Sequence, residues 1–231
     1  KQDLKLPVFI KPSNSGSSVG VNKAINEEDI IQYLEEAFKY DNKVLIEEAI
    51  IGKEVECAIL GNDILTVSSV GEIKSAEDFY TFDSKYNNKN SITLIPADLD
   101  DEVIKEVQIL AKKAYLACDC KGLSRIDFFI EENTNRIIIN EINTLPGFTN
   151  ISMYPKLMEN SNINYSELLD KLIELALDYA KKYYSRCYLE TLENMVAAQK
   201  FYEKYGFIRI YEPLVKTEHF ACDIRYIKEL Q

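Results

Sequence analysis

A chain of 231 residues, 46% of them hydrophobic, is long enough for one large or two small domains around a buried core. Its 27 Lys and Arg against 38 Asp and Glu leave a net charge of −11, which excludes a binder of phosphate backbones built on clustered cations; no nucleic-acid partner is expected. No apolar run reaches the length of a membrane span, and Lys1-Gln2-Asp3 opens no signal-peptide core, so a cytoplasmic chain with no membrane partner is expected.

In chain order, Val8–Lys11 reads as a short apolar strand entering Pro12-Ser-Asn-Ser-Gly-Ser-Ser18. The small residues of that loop let backbone N–H groups approach an anion, and Lys11 at the strand end supplies a fixed cation. A plain flexible turn fits the same residues. Asn26-Glu-Glu-Asp29 opens a helix with a capping side chain and N-terminal acids, and Ile30, Ile31, Leu34 and Phe38 give it an apolar stripe. Val44–Ile51 follows as a strand that leaves into a turn at Gly52. Val55–Leu60 and Ile64–Val70 flank Gly61-Asn62-Asp63, the signal of a hairpin. Phe79–Tyr86 mixes aromatics with Lys85 and runs into polar Asn87–Ser91, which reads as a mobile lid. Asp101–Ala117 is an amphipathic helix with Val103, Ile104, Val107, Leu110 and Ala114 on its buried side.

Lys121–Gly147 carries the chemistry. It reads as strands Leu123–Glu131 and Arg136–Ile142 joined by a polar turn at Glu132–Asn135. Arg125 and Asp127 alternate along the first strand and so share a face, as do Glu141 and Asn143 on the second. A pairing that brings Asp127 beside the second strand assembles two carboxylates and an amide oxygen. Oxygen donors without His or Cys suit Mg²⁺, with Mn²⁺ an alternative, holding nucleotide phosphates. A solvated strand pair with incidental charges fits the spacing as well.

Gly122-Leu-Ser-Arg-Ile-Asp127, Asn140-Glu-Ile-Asn-Thr-Leu-Pro-Gly147 and Pro7-Val-Phe-Ile-Lys-Pro-Ser-Asn-Ser-Gly-Ser-Ser-Val-Gly20 together resemble motifs of the D-alanine–D-alanine ligases, enzymes of the ATP-grasp fold. The resemblance runs in order from about Lys5 to about Tyr183. It implies an α+β fold of mixed or antiparallel sheets with packed helices, and a cofactor set of ATP and Mg²⁺. By resemblance, Lys11 and Lys85 contact the nucleotide phosphates and Ser17 and Ser18 lie over the site. Glu47, Glu48 and Ile50 lie in the stretch that contacts the base, and Glu54 holds the ribose hydroxyls. Asp127, Glu141 and Asn143 hold the metal, Arg125 and the Gly147 amide face the oxyanion, and Tyr86 and Ser152 meet the D-alanine substrate. Tyr86 matches D-alanine as second substrate without excluding D-serine or D-lactate. The family carries further sequence before the position of Lys1, including the first D-alanine site, so a truncated or chimeric ATP-binding part is expected.

Ser166–Tyr184 reads as a long helix with Leu168, Leu169, Leu172, Leu175 and Ala176 as its stripe, near whose end the family's chains stop. Beyond it, Cys187–Thr191, a helical stretch Asn194–Tyr205 and Gly206–Tyr211 resemble the last third of a GCN5-related N-acetyltransferase, most closely at Phe201-Tyr-Glu-Lys-Tyr-Gly-Phe207. That resemblance implies a small βαββ tail over 185–231 after an ATP-grasp domain over 1–184, and a proton-donating role for Tyr202. The pyrophosphate-binding loop that should precede the segment is absent, so coenzyme A lacks its seat and a structural cap is the expected role. Five cysteines, Cys57, Cys118, Cys120, Cys187 and Cys222, match no metal-ligand spacing and read as free thiols, and His219 reads as a surface residue. Three functions stand: a ligase, a nucleotide-binding module without ligation, and an acetyl-CoA-dependent transferase. An exposed apolar edge leaves a homodimer open.

Overall fold

The computed structural model describes residues 4–14, 19–74, 92–149, 151–214 and 222–230. The fold is α+β, with every strand pair among the described residues antiparallel. Near the N-terminus, β1 (Val8–Pro12) lies between β2 (Asn22–Ala24) and β3 (Val44–Glu48) in a three-stranded sheet. One face of it is covered by α1 (Glu27–Ala37). The helix starts where Asn26 Oδ1 accepts from Asp29 N at 2.8 Å while Asp29 Oδ2 accepts from Ile25 N at 3.0 Å, a reciprocal cap. Its packed stripe differs from the expected one: Ile30, Tyr33, Leu34 and Ala37 meet Val8 and Ile10, while Ile31 and Phe38 are exposed. The i, i+3, i+4, i+7 set beginning at Ile30 ends on Ala37, whose small side chain lets the helix sit close to the sheet.

The main sheet has the order β6-β5-β4-β7-β8. Its strands are β4 (Gly52–Leu60), β5 (Thr66–Lys74), β6 (Ile92–Leu94), β7 (Leu123–Glu131) and β8 (Ile137–Asn143). Gly52 opens β4 itself rather than forming the expected turn. A Cβ there would lie 1.9 Å from Ile130 O, so only glycine lets β4 start this close to β7. β4 and β5 form the expected hairpin, with Gly61 at φ +136°.

The helix α2 (Asp101–Ala117), with the bounds that its periodicity predicts, packs on one face. Val107, Ala111 and Tyr115 are its fully buried positions, set against Val55, Cys57, Ile59, Ile126, Phe128 and Ile130. The opposite face is covered by α3 (Met153–Asn160) and the first part of α4 (Tyr165–Lys181), where Leu157, Met158 and Leu168 meet Ala58 and Leu60. Further along that second face, alternation brings Glu54 and Glu56 of β4 beside Arg125 and Asp127 of β7.

β8 carries a bulge. Phe128 pairs with Ile139 but Asp127 pairs with Glu141, so Asn140 is an extra residue. Ile137 and Ile139 therefore oppose Ile130 and Phe128 on the α2 side, and the phase then shifts so that Glu141 and Asn143 oppose Asp127 and Arg125 on the other.

The C-terminal part follows the expected strand-helix-strand-strand order: β9 (Arg186–Thr191), α5 (Val196–Lys204), β10 (Ile208–Ile210) and β11 (Ile224–Glu229), with β11 central in a three-stranded sheet. Phe207, Ile224, Tyr226 and Leu230 form a cluster with Leu177, Ile173 and Ala180 of α4. The expected single stripe of α4 is thus divided. Leu168 packs on the main sheet and Leu177 on the small one, whereas Leu169 and Ala176 line an open groove of about 500 Å³. Lys204 Nζ on α5 reaches both oxygens of Asp170 on α4 at 2.8 and 2.9 Å.

Candidate active site

The second face of the main sheet gathers Glu56, Arg125, Asp127, Glu141 and Asn143. Glu56, Asp127 and Glu141 stand directly across from one another on β4, β7 and β8. Arg125 and Asp127, two residues apart on one strand, form a bidentate pair, Nε to Oδ1 and Nη2 to Oδ2, both at 2.7 Å. Arg125 Nε also lies 3.0 Å from Glu56 Oε2, but its hydrogen is directed at Asp127, so that contact is ionic rather than a hydrogen bond. Glu56 and Asp127 are each 3% exposed, whereas Glu141 is open to solvent on the edge strand. Burial alone would lower the Arg125 pKa, yet its hydrogen bond to Asp127 and the charges of Asp127, Glu56 and Glu141 hold it above the ordinary value. The guanidinium is permanently charged and is held by both oxygens of Asp127.

Asn143 completes the cluster. Its Nδ2 donates to Asp127 Oδ2 at 3.0 Å and to Glu141 Oε1 at 3.2 Å. The expected amide oxygen is therefore turned away from the carboxylates, and the amide's N–H groups face them instead. Physically this is what two neighbouring carboxylates draw toward themselves, and a half-turn of the amide presents Oδ1 beside them. Among the described residues no three of His, Cys, Asp and Glu form a metal cage. The donor set is two carboxylates and one amide, which fits a hard cation that keeps waters and takes further oxygens from a ligand.

Close by in sequence, a Cβ on Gly147 would lie 3.0 Å from Ser152 Oγ. Ser152 Oγ accepts from Thr149 N at 3.0 Å and lies 2.9 Å from Thr149 Oγ1, so a closed turn fixes it next to Gly147. On the N-terminal sheet, Lys11 Nζ is ion-paired with Glu47 at 2.7 Å, on the face away from α1. Glu47, expected beside a base, pairs with Lys11 on that face. Glu48 is exposed and Ile50 half-buried in the segment from β3 to β4, and Glu54 is partly exposed on the same face as Glu56. Ser17, Ser18, Lys85, Tyr86 and His219 lie outside the described residues.

Sequence reasoning missed Glu56. Its signal was present, a second acid two positions after Glu54 in the strand Glu-Val-Glu-Cys-Ala, which puts both on one face. Tyr202, expected as a proton donor, is half-buried on α5. Its ring packs against Phe207 and Tyr226, at centroid distances of 6.0 and 6.1 Å, within the apolar cluster under the small sheet. All five cysteines are free, and burial pushes the Cys57 thiol up to about 12.

The family model described as D-ala D-ala ligase C-terminus matches residues 1–174. The chain belongs to the D-alanine–D-alanine ligase family. The D-alanine--D-alanine ligase of Caldicellulosiruptor bescii is 51% identical over 178 residues, 77% of this chain and 49% of the relative. That of Shouchella clausii is 54% identical over 176 residues, 76% of this chain and 48% of the relative. Among solved ligases, VanG D-Ala:D-Ser ligase from Enterococcus faecalis superposes with a TM-score of 0.68 at 42% identity, over 75% of this chain and 50% of that one. The D-alanine--D-alanine ligase of Bacillus anthracis, complexed with ATP, gives a TM-score of 0.63 at 28% identity, over 76% of this chain and 54% of that one. The chain spans about half the length of the curated relatives it matches, and corresponds to the C-terminal part of the ligase.

Proposed function

We propose that this chain is the ATP- and Mg²⁺-binding part of a D-alanine–D-alanine ligase, serving dipeptide formation for peptidoglycan precursors. The observation that carries the reading is the row Glu56, Asp127, Glu141 with a single arginine among them, in a chain of this family. Its formal charge, three carboxylates against one guanidinium, is −2, which one divalent cation neutralises.

Asp127, Glu141 and Asn143, with its amide turned, would hold Mg²⁺. When bound, the metal neutralises charge on the transferred phosphoryl group. Lys11, held by Glu47, supplies a fixed cation for the nucleotide phosphates, with Lys85 as a second; Ser17 and Ser18 cover them. Glu48 and Ile50 flank the base and Glu54 receives the ribose hydroxyls. In the reaction, a D-alanine carboxylate oxygen attacks the γ-phosphorus and ADP leaves. The amine of a second amino acid then attacks the acyl phosphate carbonyl, and phosphate departs as the amide forms and the amine loses its proton. Arg125 and the Gly147 N–H face the oxyanion of that second step, and Tyr86 and Ser152 orient the incoming amino acid.

We read 1–184 as the ATP-grasp domain and 185–231 as a segment resembling the end of a GCN5-related acetyltransferase. The strand-helix-strand-strand order supports that likeness, and the packing of Tyr202, Phe207 and Tyr226 onto α4 supports a structural cap rather than a transferase.

Calorimetric titration with a non-hydrolysable ATP analogue, with and without Mg²⁺, tests the reading. Binding strengthened by the metal is the expected outcome. Absence of binding in both conditions overturns it, and acetyl-CoA binding would overturn the cap.

A further inference from the structure

Glu56 has no part in the proposed ligand set, yet it is among the most buried carboxylates of the molecule, 3% exposed in the middle of the main sheet. A carboxylate taken from water needs a counter-charge, and Arg125 Nε at 3.0 Å provides one. Asp127 meanwhile gives Arg125 both of its oxygens, and Oδ2 accepts from Asn143 as well. A divalent ion bound to those oxygens would sit at contact distance from the guanidinium, where like charges repel strongly in a desolvated site. Cation entry therefore requires Arg125 to leave Asp127, and a buried guanidinium leaves one partner only for another.

We propose that Glu56 is a positioning residue: it takes over the Arg125 guanidinium when Asp127 turns to a divalent cation, so that cation entry re-aims Arg125 toward the reacting oxygens. The site is built for this exchange. β4 is paired on both sides, by β5 and β7, so Glu56 is a fixed post rather than a mobile acceptor. Glu141, which also faces the cluster, is exposed on the edge strand and cannot hold the arginine as firmly. The inference rests on the cation-site reading given above.

The test is a double-mutant cycle on the whole chain, Glu56→Gln and Arg125→Met, read by Mn²⁺ titration in electron paramagnetic resonance with the ATP analogue present. With Arg125 in place, Glu56→Gln should leave the guanidinium on Asp127 and weaken Mn²⁺ binding about tenfold, while in the Arg125→Met background the same change should matter less than about twofold. Equal weakening in both backgrounds would mean that Glu56 acts as a ligand or a general charge and would overturn the exchange, as would unchanged Mn²⁺ affinity in Glu56→Gln. Should Glu56→Gln fail to fold by circular dichroism, Glu56→Asp, which withdraws the carboxylate by one methylene, runs the same cycle. Analogue binding by the unaltered chain is measured separately. Its loss overturns the proposed function, whereas its presence with an uncoupled cycle overturns only the role of Glu56.

Discussion

Two sheets of this molecule bury an arginine beside a glutamate, and they do so with opposite charge balance. On the small C-terminal sheet Arg225 stands across from Glu190, whose side chain is 4% exposed, with Nε to Oε1 at 3.6 Å, and Arg186 meets Glu229 at 3.1 Å in the same ladder. Each of these two arginines has its own anion. On the main sheet Arg125 serves Glu56 and Asp127 at close range, with Glu141 across from Asp127, so among the described residues of this row anions outnumber the cation. A balanced pair holds strands together, and the unbalanced one is what the proposed Mg²⁺ site rests on. The pair alone is weak evidence of function; the surplus around it is what distinguishes the site.

The largest effects should come from removing the two arginines. Arg225→Met leaves Glu190 its bond from the Tyr188 hydroxyl but removes the cation across from it, and should cost about 3 kcal/mol of unfolding free energy in urea, with or without Mg²⁺. Arg125→Met should cost a similar amount without divalent ions but recover most of it when Mg²⁺ is added, because the cation replaces the lost charge. Equal sensitivity of both variants to Mg²⁺ would dissolve the contrast between the sheets. A smaller effect is expected from Glu141→Gln, an exposed member of the surplus: about tenfold weaker metal-dependent binding of the ATP analogue by calorimetry, with the melting temperature unchanged.

The smallest effect belongs to the joint between the sheets, where Lys204 on α5 holds Asp170 on α4. The bond to Lys204 lowers the Asp170 pKa, and the bond to Asp170 raises that of Lys204. Asp170 thus adds stability that is present above its unfolded pKa and lost as pH falls through the lower folded value. Lys204 adds stability that is present below its unfolded pKa and lost as pH rises through the higher folded one. The pair contributes fully between about pH 4 and about pH 10. Both groups are solvent-exposed, so acidification below that window should bring a slight loss of the tyrosine near-ultraviolet dichroism. Lys204→Met should flatten that response, leaving the main sheet's metal response intact.

Much of this was legible in the sequence because the local signals agreed. α2 has a clean 3.6-residue period and the bounds that it predicts, and β7 has an apolar run interrupted at Ser124, Arg125 and Asp127. What escaped depended on neighbours distant in the chain. The buried stripe of α1 is chosen by the sheet beneath it, so Ile31 and Phe38 lose to Tyr33 and Ala37. Gly52 signals a turn until Ile130 O is found where its side chain would be. Glu56 looks like an ordinary strand acid until pairing brings it across from Asp127. The direction of the Asn143 amide is fixed by the carboxylates around it, which no spacing rule contains.

The bulge at Asn140 has a consequence for how the chain can change length. In an even strand, losing one residue carries every later side chain to the wrong side of the sheet. Here β8 has one residue to spare. With Asn140 deleted, Ile139 would still oppose Phe128 and Glu141 would still oppose Asp127, in plain alternation. Nucleotide affinity of the Asn140-deleted chain should therefore fall far less than that of a chain lacking Ile142, whose loss brings Asn143 into the wrong phase. The strand beside the arginine–carboxylate cluster can thus absorb a single-codon deletion at Asn140.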